Sequence, residues 1–270
     1  MSEHRFDGRV AIVTGGGRGI GQAYAQLLAE RGAAVVVNDA DDIDGVTYVA
    51  DVSSPDGAAG LVAATVEQYG HIDIVINNAG IIRWAGFPDA DDDNLAAHLD
   101  VHVRGSFLVT RAAWPHMAER GYGRVVMTAS TGMFGLPGNV SYATAKGGVI
   151  GLTRALAFAG KKHGIKVNAI APAASTRMAG DGGPDMPAEL VAPMAAFLAH
   201  QDCPVTGEIY TAGGGRFARL FIGSTPGYVA GEPSVEDVAA HWAEINDEAG
   251  YTVPANLQAW AADFMKHLSP

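Results

Sequence analysis

The sequence predicts an α/β fold built on a single doubly wound parallel sheet, and three observations carry that reading. Short apolar runs of strand length alternate with helix-length segments from residue 9 to residue 212. The first run opens onto a glycine-rich loop, Gly15-Gly16-Gly17-Arg18-Gly19-Ile20-Gly21, and a helical stretch follows it directly. The second run ends in an acid, Asp39, which stands 18 residues beyond Gly21. Strand, glycine loop, helix, strand and acid form the first βαβ unit of a dinucleotide-binding fold. Glycines there let backbone N–H groups and a helix N-terminus approach a pyrophosphate. A carboxylate at Asp39 suits the adenosine ribose hydroxyls and repels a 2′-phosphate, which favours NAD over NADP. Arg18 is the counter-signal, a cation placed where it can meet that phosphate.

The elements follow in order. Arg9 to Thr14 reads as a buried strand, Gln22 to Arg31 as a helix stopped by Gly32, and Ala33 to Asn38 as a second strand. Thr47 to Ala50 is a short third strand closed by Asp51-Val52, and Pro55 starts a helix running to about Tyr69. Ile72 to Ile76 is a fourth strand, apolar except for Asp73, ending in Asn77-Asn78-Ala79-Gly80. The acid run from Asp89 to Asn94 is read as a solvated helix N-terminus and not as a metal site. A long helix is expected from His102 to Arg120, then a strand over Arg124 to Thr128. Ile165 to Ile170 is the sixth strand, Ala188 to Ala199 a helix, and Glu208 to Thr211 the last strand. Residues 1–212 thus form the sheet domain. From residue 213 to 270 the composition shifts to a Gly- and Pro-bearing loop, with helices near Ser234–Glu248 and Pro254–His267. This extension is too short for a comfortable core of its own, so it is expected to pack on the same domain or a neighbouring subunit.

Composition narrows the function. A hydrophobic content of 48% with 17% charged residues fits a globular protein with a substantial core. The net charge of −11 disfavours nucleic acid and anionic membrane surfaces as partners. No apolar run is long enough to span a bilayer, and residues 1–7 show no signal-peptide pattern. The single cysteine, Cys203, excludes an intrachain disulfide framework, and a cytoplasmic location is expected.

The chemistry centres on Ser130, Tyr142 and Lys146. Tyr142 and Lys146 are four residues apart, on one face if the segment is helical. A phenol has an ordinary pKa of about 10. An ammonium one turn away is expected to lower it, making a proton donor or acceptor usable near neutrality. Ser130 follows a strand and offers a hydroxyl to hold a carbonyl or alcohol oxygen against the phenol. A tyrosine and a lysine at this spacing are weak alone, since helix surfaces carry such pairs by chance.

Taken together, Thr14-Gly15-Gly16-Gly17-Arg18-Gly19-Ile20-Gly21, Asp51, Asn77-Asn78-Ala79-Gly80, Ser130, Tyr142-Ala143-Thr144-Ala145-Lys146 and Pro172 to Thr176 resemble the short-chain dehydrogenase/reductase family. Several stretches, among them Phe6-Asp7-Gly8-Arg9-Val10 and His102-Val103-Arg104-Gly105-Ser106-Phe107, are similar to the (3R)-hydroxyacyl-CoA dehydrogenase domain of peroxisomal multifunctional enzymes. The resemblance implies a Rossmann fold and a proton exchange at Tyr142. It implies that Lys146 bonds the nicotinamide ribose and that Ser130 orients the carbonyl. It also implies a cofactor groove lined by Gly15, Arg18, Gly19, Ile20, Gly21, Asp39, Asp51, Val52, Asn78, Ala79, Gly80, Pro172 and Thr176. A homotetramer is implied too, with helices near residues 102–120 and 142–163 pairing across an interface.

Departures from the family pattern are visible. His102 stands where many relatives carry a catalytic Asn, which makes it a candidate for the proton-relay role or, equally, a satisfied polar residue at a helix bend; Ala173 stands where Gly is usual. The segment from Arg177 to Pro187, a substrate lid in relatives, is short and rich in Gly, Pro and Asp. The expected function is NAD-dependent oxidation of a secondary alcohol or reduction of its ketone, with a (3R)-hydroxyacyl-CoA as the first substrate class. A steroid or terpenoid alcohol is the alternative, and a non-catalytic NAD-binding regulator is the rival of another kind. At least one of Arg216 and Arg219 is expected to reach a CoA phosphate, the two facing one way if a helical turn forms; the alternative is that both pair with carboxylates at a subunit contact.

Overall fold

The computed structural model describes residues 3–175 and 186–267. It divides into two compact units, Met1–Arg219 and Leu220–Pro270.

The first unit is an eight-stranded sheet in the order β3-β2-β1-β4-β5-β6-β7-β8. The strands are β1 (Val10–Thr14), β2 (Ala34–Asp39), β3 (Tyr48–Val49), β4 (Ile74–Asn77), β5 (Gly123–Thr128), β6 (Ile165–Pro172), β7 (Ile209–Gly213) and β8 (Arg216–Leu220). Pairing from β3 through β7 is parallel throughout. Every residue of β1 and β4 is buried, the pattern of parallel strands covered on both faces. Ala11, Val13, Ile74, Ile76, Val126 and Ile170 share one core with α1 (Gly19–Glu30) and α6 (Ala192–Ala199). The opposite layer holds α2 (Pro55–Tyr69), α4 (Ser106–Arg120) and α5 (Val140–Gly160), with α3 (Asp92–His98) beside α5. The doubly wound sheet therefore stands as the sequence predicts.

Local chemistry explains the boundaries. Ser54 caps α2 by accepting the Gly57 N–H at 3.0 Å, Pro55 fills the first turn, and Gly70 closes it at φ +79°. Asp91 caps α3 by accepting the Asn94 N–H at 2.8 Å, so the acid run is a helix N-terminus as expected. The long helix expected from His102 starts earlier. It runs from Asp92 through a π-helical segment, Leu99–Gly105, into α4.

One strand escapes the sequence reading. Residues 216–220 form β8, joined to β7 by a two-residue turn in which Gly214 (φ +56°) and Gly215 (φ +78°) are both left-handed. That turn geometry returns the chain alongside β7 as a hairpin. Arg216 and Arg219 therefore lie on a strand and not on a helical turn, and an odd separation puts them on opposite faces. Arg219 donates from Nε to Glu208 at 2.7 Å. The two guanidiniums therefore do not share the face that a helical turn would give them.

The second unit contains α7 (Val235–Ala240), α8 (Trp242–Ile245) and α9 (Leu257–His267). Ser234 and Asp237 form a capping box at α7, and Ser224 pairs with Thr252 in an antiparallel bridge. None of its described residues is buried. No helix among the described residues is long and apolar enough to cross a membrane.

Candidate active site

The sheet order reverses between β1 and β4, so the loops leaving those two strands part and open a crevice at their C-terminal ends. Two loops line it. The Thr14 hydroxyl accepts the N–H groups of Asn78 and Ala79, each at 3.1 Å. The Asn78 side chain donates back to the carbonyls of Thr14 (3.1 Å) and Gly15 (2.9 Å). The contact is so close that a Cβ on Gly15 (φ +60°) would stand 2.7 Å from the Ala79 Cα. Asn78 thus braces the crevice with its side chain, while Ala79 and Gly80 stand at its wall.

Helix α1 rises from this loop with Arg18 at its N-cap, and no side chain caps its first turn. Those first-turn N–H groups, Gly19, Ile20 and Gly21 among them, form a ready anion site. Asp39 ends β2 beside the glycine loop and accepts the Gly17 N–H at 3.2 Å. Asp51 follows β3, and its carboxylate accepts from the backbone and hydroxyl of Ser53 at 2.9 and 2.7 Å; Val52 beside it is buried. The residues present therefore fit a dinucleotide: an uncapped helix start for the pyrophosphate and an acid for the adenosine ribose. Pro172 ends β6, whereas Thr176 and the greater part of the expected Arg177–Pro187 lid lie outside the described residues.

The second cluster forms where β4, β5, α5 and the π-helical segment meet. Asn139 caps α5 by accepting the Tyr142 N–H at 3.0 Å, and its Nδ2 donates to the Arg83 carbonyl at 3.1 Å. Because Asn139 is fully buried, the first turn that carries Tyr142 is held at both ends of one amide. Ser130 lies just past β5 and accepts the Gly132 N–H at 3.0 Å. Gly132 lies against both Ser130 and Tyr142: a Cβ there would lie 3.3 Å from both the Ser130 hydroxyl and the Tyr142 ring. Lys146, one turn beyond Tyr142, donates from Nζ to the Thr128 carbonyl at 2.7 Å, and Nζ sits 5.5 Å from the Tyr142 ring centroid.

Burial decides the proton affinities. It pushes Lys146 down to about 7. It also raises the Tyr142 phenol above its ordinary value, against the opposing pull of a hydrogen bond with Ser130. Burial therefore sets the direction for the tyrosine, opposite to the lowering expected from the lysine charge. A lysine near neutrality carries only part of its charge, and it spends its hydrogen bond on Thr128.

His102 occupies the π-helical segment. Its Nε2 donates to the Ile81 carbonyl at 2.8 Å, while Nδ1 is buried with no hydrogen-bond partner among the described residues. Burial, followed by the charge of Lys146, holds this imidazole well below its usual range, so it is neutral. Its ring meets Tyr142 edge-on at 5.3 Å. The side chain thus ties the loop after β4 to the tyrosine, and a relay through its protonated form is disfavoured. Its backbone carbonyl accepts from the Ser106 hydroxyl at 2.7 Å.

Two residues that sequence reasoning passed over belong to this cluster. His98 donates from Nδ1 to the Asn94 carbonyl at 2.8 Å, accepts the Arg83 N–H at 3.2 Å, and meets Tyr142 edge-on at 6.1 Å. Its position four residues before His102 was the available signal. Asn139 was signalled by its place before Val140-Ser141-Tyr142, as an N-cap.

Comparison with known proteins decides the family. The short chain dehydrogenase family matches residues 9–185. The chain belongs to that family. A short-chain type dehydrogenase/reductase of Mycobacterium tuberculosis is 40% identical over 90% of this chain and 95% of its own length. Mouse peroxisomal multifunctional enzyme type 2 is 38% identical over 94% of this chain, which spans only 39% of the mouse protein. Full-length peroxisomal multifunctional enzyme type 2 of Drosophila melanogaster superposes with a TM-score of 0.83 at 32% identity, covering 98% of this chain and 50% of that one. Levodione reductase gives a TM-score of 0.71 at 31% identity, over 77% of this chain and 96% of its own. The protein is therefore an oxidoreductase of a family that uses nicotinamide cofactors and acts on secondary alcohols and their ketones.

Proposed function

We propose that this short-chain dehydrogenase uses NAD to interconvert a (3R)-hydroxyacyl-CoA and its 3-ketoacyl counterpart. The observation that carries the reaction type is the cluster of Ser130, Tyr142 and Lys146 beside the crevice at the strand ends. When bound there, the nicotinamide supplies or accepts a hydride. Tyr142 holds the proton exchanged with the substrate oxygen, at its phenolic Oη. Ser130 orients that oxygen by a hydrogen bond. Lys146 steadies the position of the phenol and, when charged, eases its ionisation. Asn139, His98 and His102 hold the tyrosine in place from three sides.

NAD is favoured by the Asp39 carboxylate at the end of β2, which meets the position of a 2′-phosphate with like charge. The acyl-CoA substrate class is supported by the likeness to peroxisomal multifunctional enzymes over nearly the whole chain. A screen of NADH formation tests both points. Turnover is expected with NAD and (3R)-hydroxyacyl-CoA esters. Turnover confined to steroid or terpenoid alcohols would move the substrate class. NADH binding without turnover on any alcohol would make the protein a regulator.

A homotetramer is proposed as the working form. Helices α4 and α5 border an open groove of about 740 Å³ lined by Phe107, Trp114, Pro115, Leu156 and Phe158. Phe107 and Phe158 are 42% and 46% exposed, so this face presents apolar surface that a second copy would cover. Light scattering at micromolar concentration is expected to give four times the chain mass. A monomer would refute the assembly.

A further inference from the structure

Arg18 is the cation carried by the glycine loop, and it borders the place where a dinucleotide bearing a 2′-phosphate would need a positive partner. The structure shows that this guanidinium is engaged elsewhere. Its Nη2 donates to Asp41 Oδ2 at 2.7 Å. Asp41 is itself fixed relative to Asp39, because its N–H bonds Asp39 Oδ1 at 3.3 Å while Asp39 Oδ2 accepts the Gly17 N–H. The two acids and the arginine therefore form one connected rim on the glycine loop.

The loop that carries Asp41 is anchored by packing as well as by charge. Ile43 and Val46 press on the glycine loop so closely that a Cβ at Gly17 would stand 2.3 Å from Ile43 Cδ1 and 2.9 Å from Val46 Cγ2. This apolar contact holds residues 40–46 against the glycine loop. It keeps Asp41 within reach of Arg18 without asking the ion pair to supply the binding energy. That matters because the pair is open to water, with Arg18 37% and Asp41 66% exposed, and such pairs contribute little to stability.

We propose that Asp41 is a second cofactor-selectivity residue, which acts by engaging the Arg18 guanidinium so that it is not free to pair with a 2′-phosphate. Asp39 repels the phosphate, and Asp41 withholds the cation that would offset the repulsion. The inference rests on the NAD reading above and deepens it. Nothing in the reaction chemistry depends on it, and Asp41 touches neither Tyr142 nor Lys146 through any hydrogen bond among the described residues.

Fluorescence titration of the full chain with NADH and with NADPH tests the proposal in four proteins: wild type, Asp41→Ala, Arg18→Ala, and the double variant. Wild type is expected to prefer NADH; a preference for NADPH would remove the underlying NAD reading itself. Given that preference, Asp41→Ala is expected to tighten NADPH about two- to fivefold, the gain open to a guanidinium released from an exposed ion pair and freed to make charge-assisted bonds to phosphate. NADH affinity should stay within about twofold, since Asp39 remains in place to bond the ribose hydroxyls. The gain should vanish in the double variant and shrink as salt is added. An NADPH affinity unchanged by Asp41→Ala overturns the proposal. So does a gain that persists without Arg18, because Asp41 would then act through its own charge alone.

Discussion

Replacing Tyr142 by Phe is expected to lower kcat/KM roughly a thousandfold, within the range that a positioned general acid–base supplies. The fold and the crevice should be untouched. The ring edges toward His98 and His102 survive the substitution, as does the backbone cap from Asn139. NADH affinity should therefore change little, and the loss should fall on turnover. The pH profile of the wild type carries a sign of its own. Burial raises the phenol above its ordinary value, so the ionised form that accepts a proton grows only as pH rises. Alcohol oxidation at limiting substrate is expected to climb with pH on the alkaline side. Ketone reduction, which needs the protonated phenol, is expected to fall over the same range. A Phe variant that keeps most of its activity, or an oxidation rate that declines with rising pH, would take Tyr142 out of the mechanism.

The sheet was legible because its strands leave little choice. Val10 to Thr14 and Ile74 to Asn77 are buried on both faces, so the sequence shows them as apolar runs, each ending in one polar residue. The boundaries of α2 were equally plain, with a serine cap, a proline in the first turn and a terminal glycine. β8 was harder. Its residues Arg216-Phe217-Ala218-Arg219-Leu220 are largely exposed and carry two charges, as edge strands do. The readable signal was the Gly214-Gly215 turn, which fixes a hairpin through its positive φ values and not through strand composition.

At the site, the residue types were legible and their energetics were not. Spacing puts Tyr142 and Lys146 on one helical face, but it does not show how deeply that face is buried. Lys146 is 3% exposed, and at that depth desolvation governs both groups. His102 shows the same gap. Its sequence position suggests a relay, yet its bond to the Ile81 carbonyl depends on a loop 21 residues away in the chain. Asn78 was read as lining the groove, and its side chain instead joins the two loops that make the groove. Such bonds between distant segments follow from the register of β1 against β4, which exists only once the sheet has formed.

Adding one methyl group at Gly21 is expected to disable the cofactor crevice. Gly21 lies in the first turn of α1, where the helix passes directly over the loop that precedes it. A Cβ there would stand 2.2 Å from the Gly15 carbonyl oxygen and 2.5 Å from Asn78 Nδ2. The first of these is backbone, so no side-chain rotation relieves it. The second is the amide that donates to both Thr14 and Gly15. Gly21→Ala must therefore lift α1 away from the glycine loop or break the brace between the β1 and β4 loops. Either movement displaces the uncapped first-turn N–H groups from the position of the pyrophosphate. Overpacking of this kind costs about 1–3 kcal/mol. If that cost falls on the bound geometry, NADH affinity drops roughly ten- to hundredfold, since each 1.4 kcal/mol is a factor of ten. Fluorescence titration reads the affinity, and a thermal melt followed by circular dichroism shows that the sheet is retained. NADH bound by Gly21→Ala as tightly as by the wild type would mean that the dinucleotide does not lie against the start of α1.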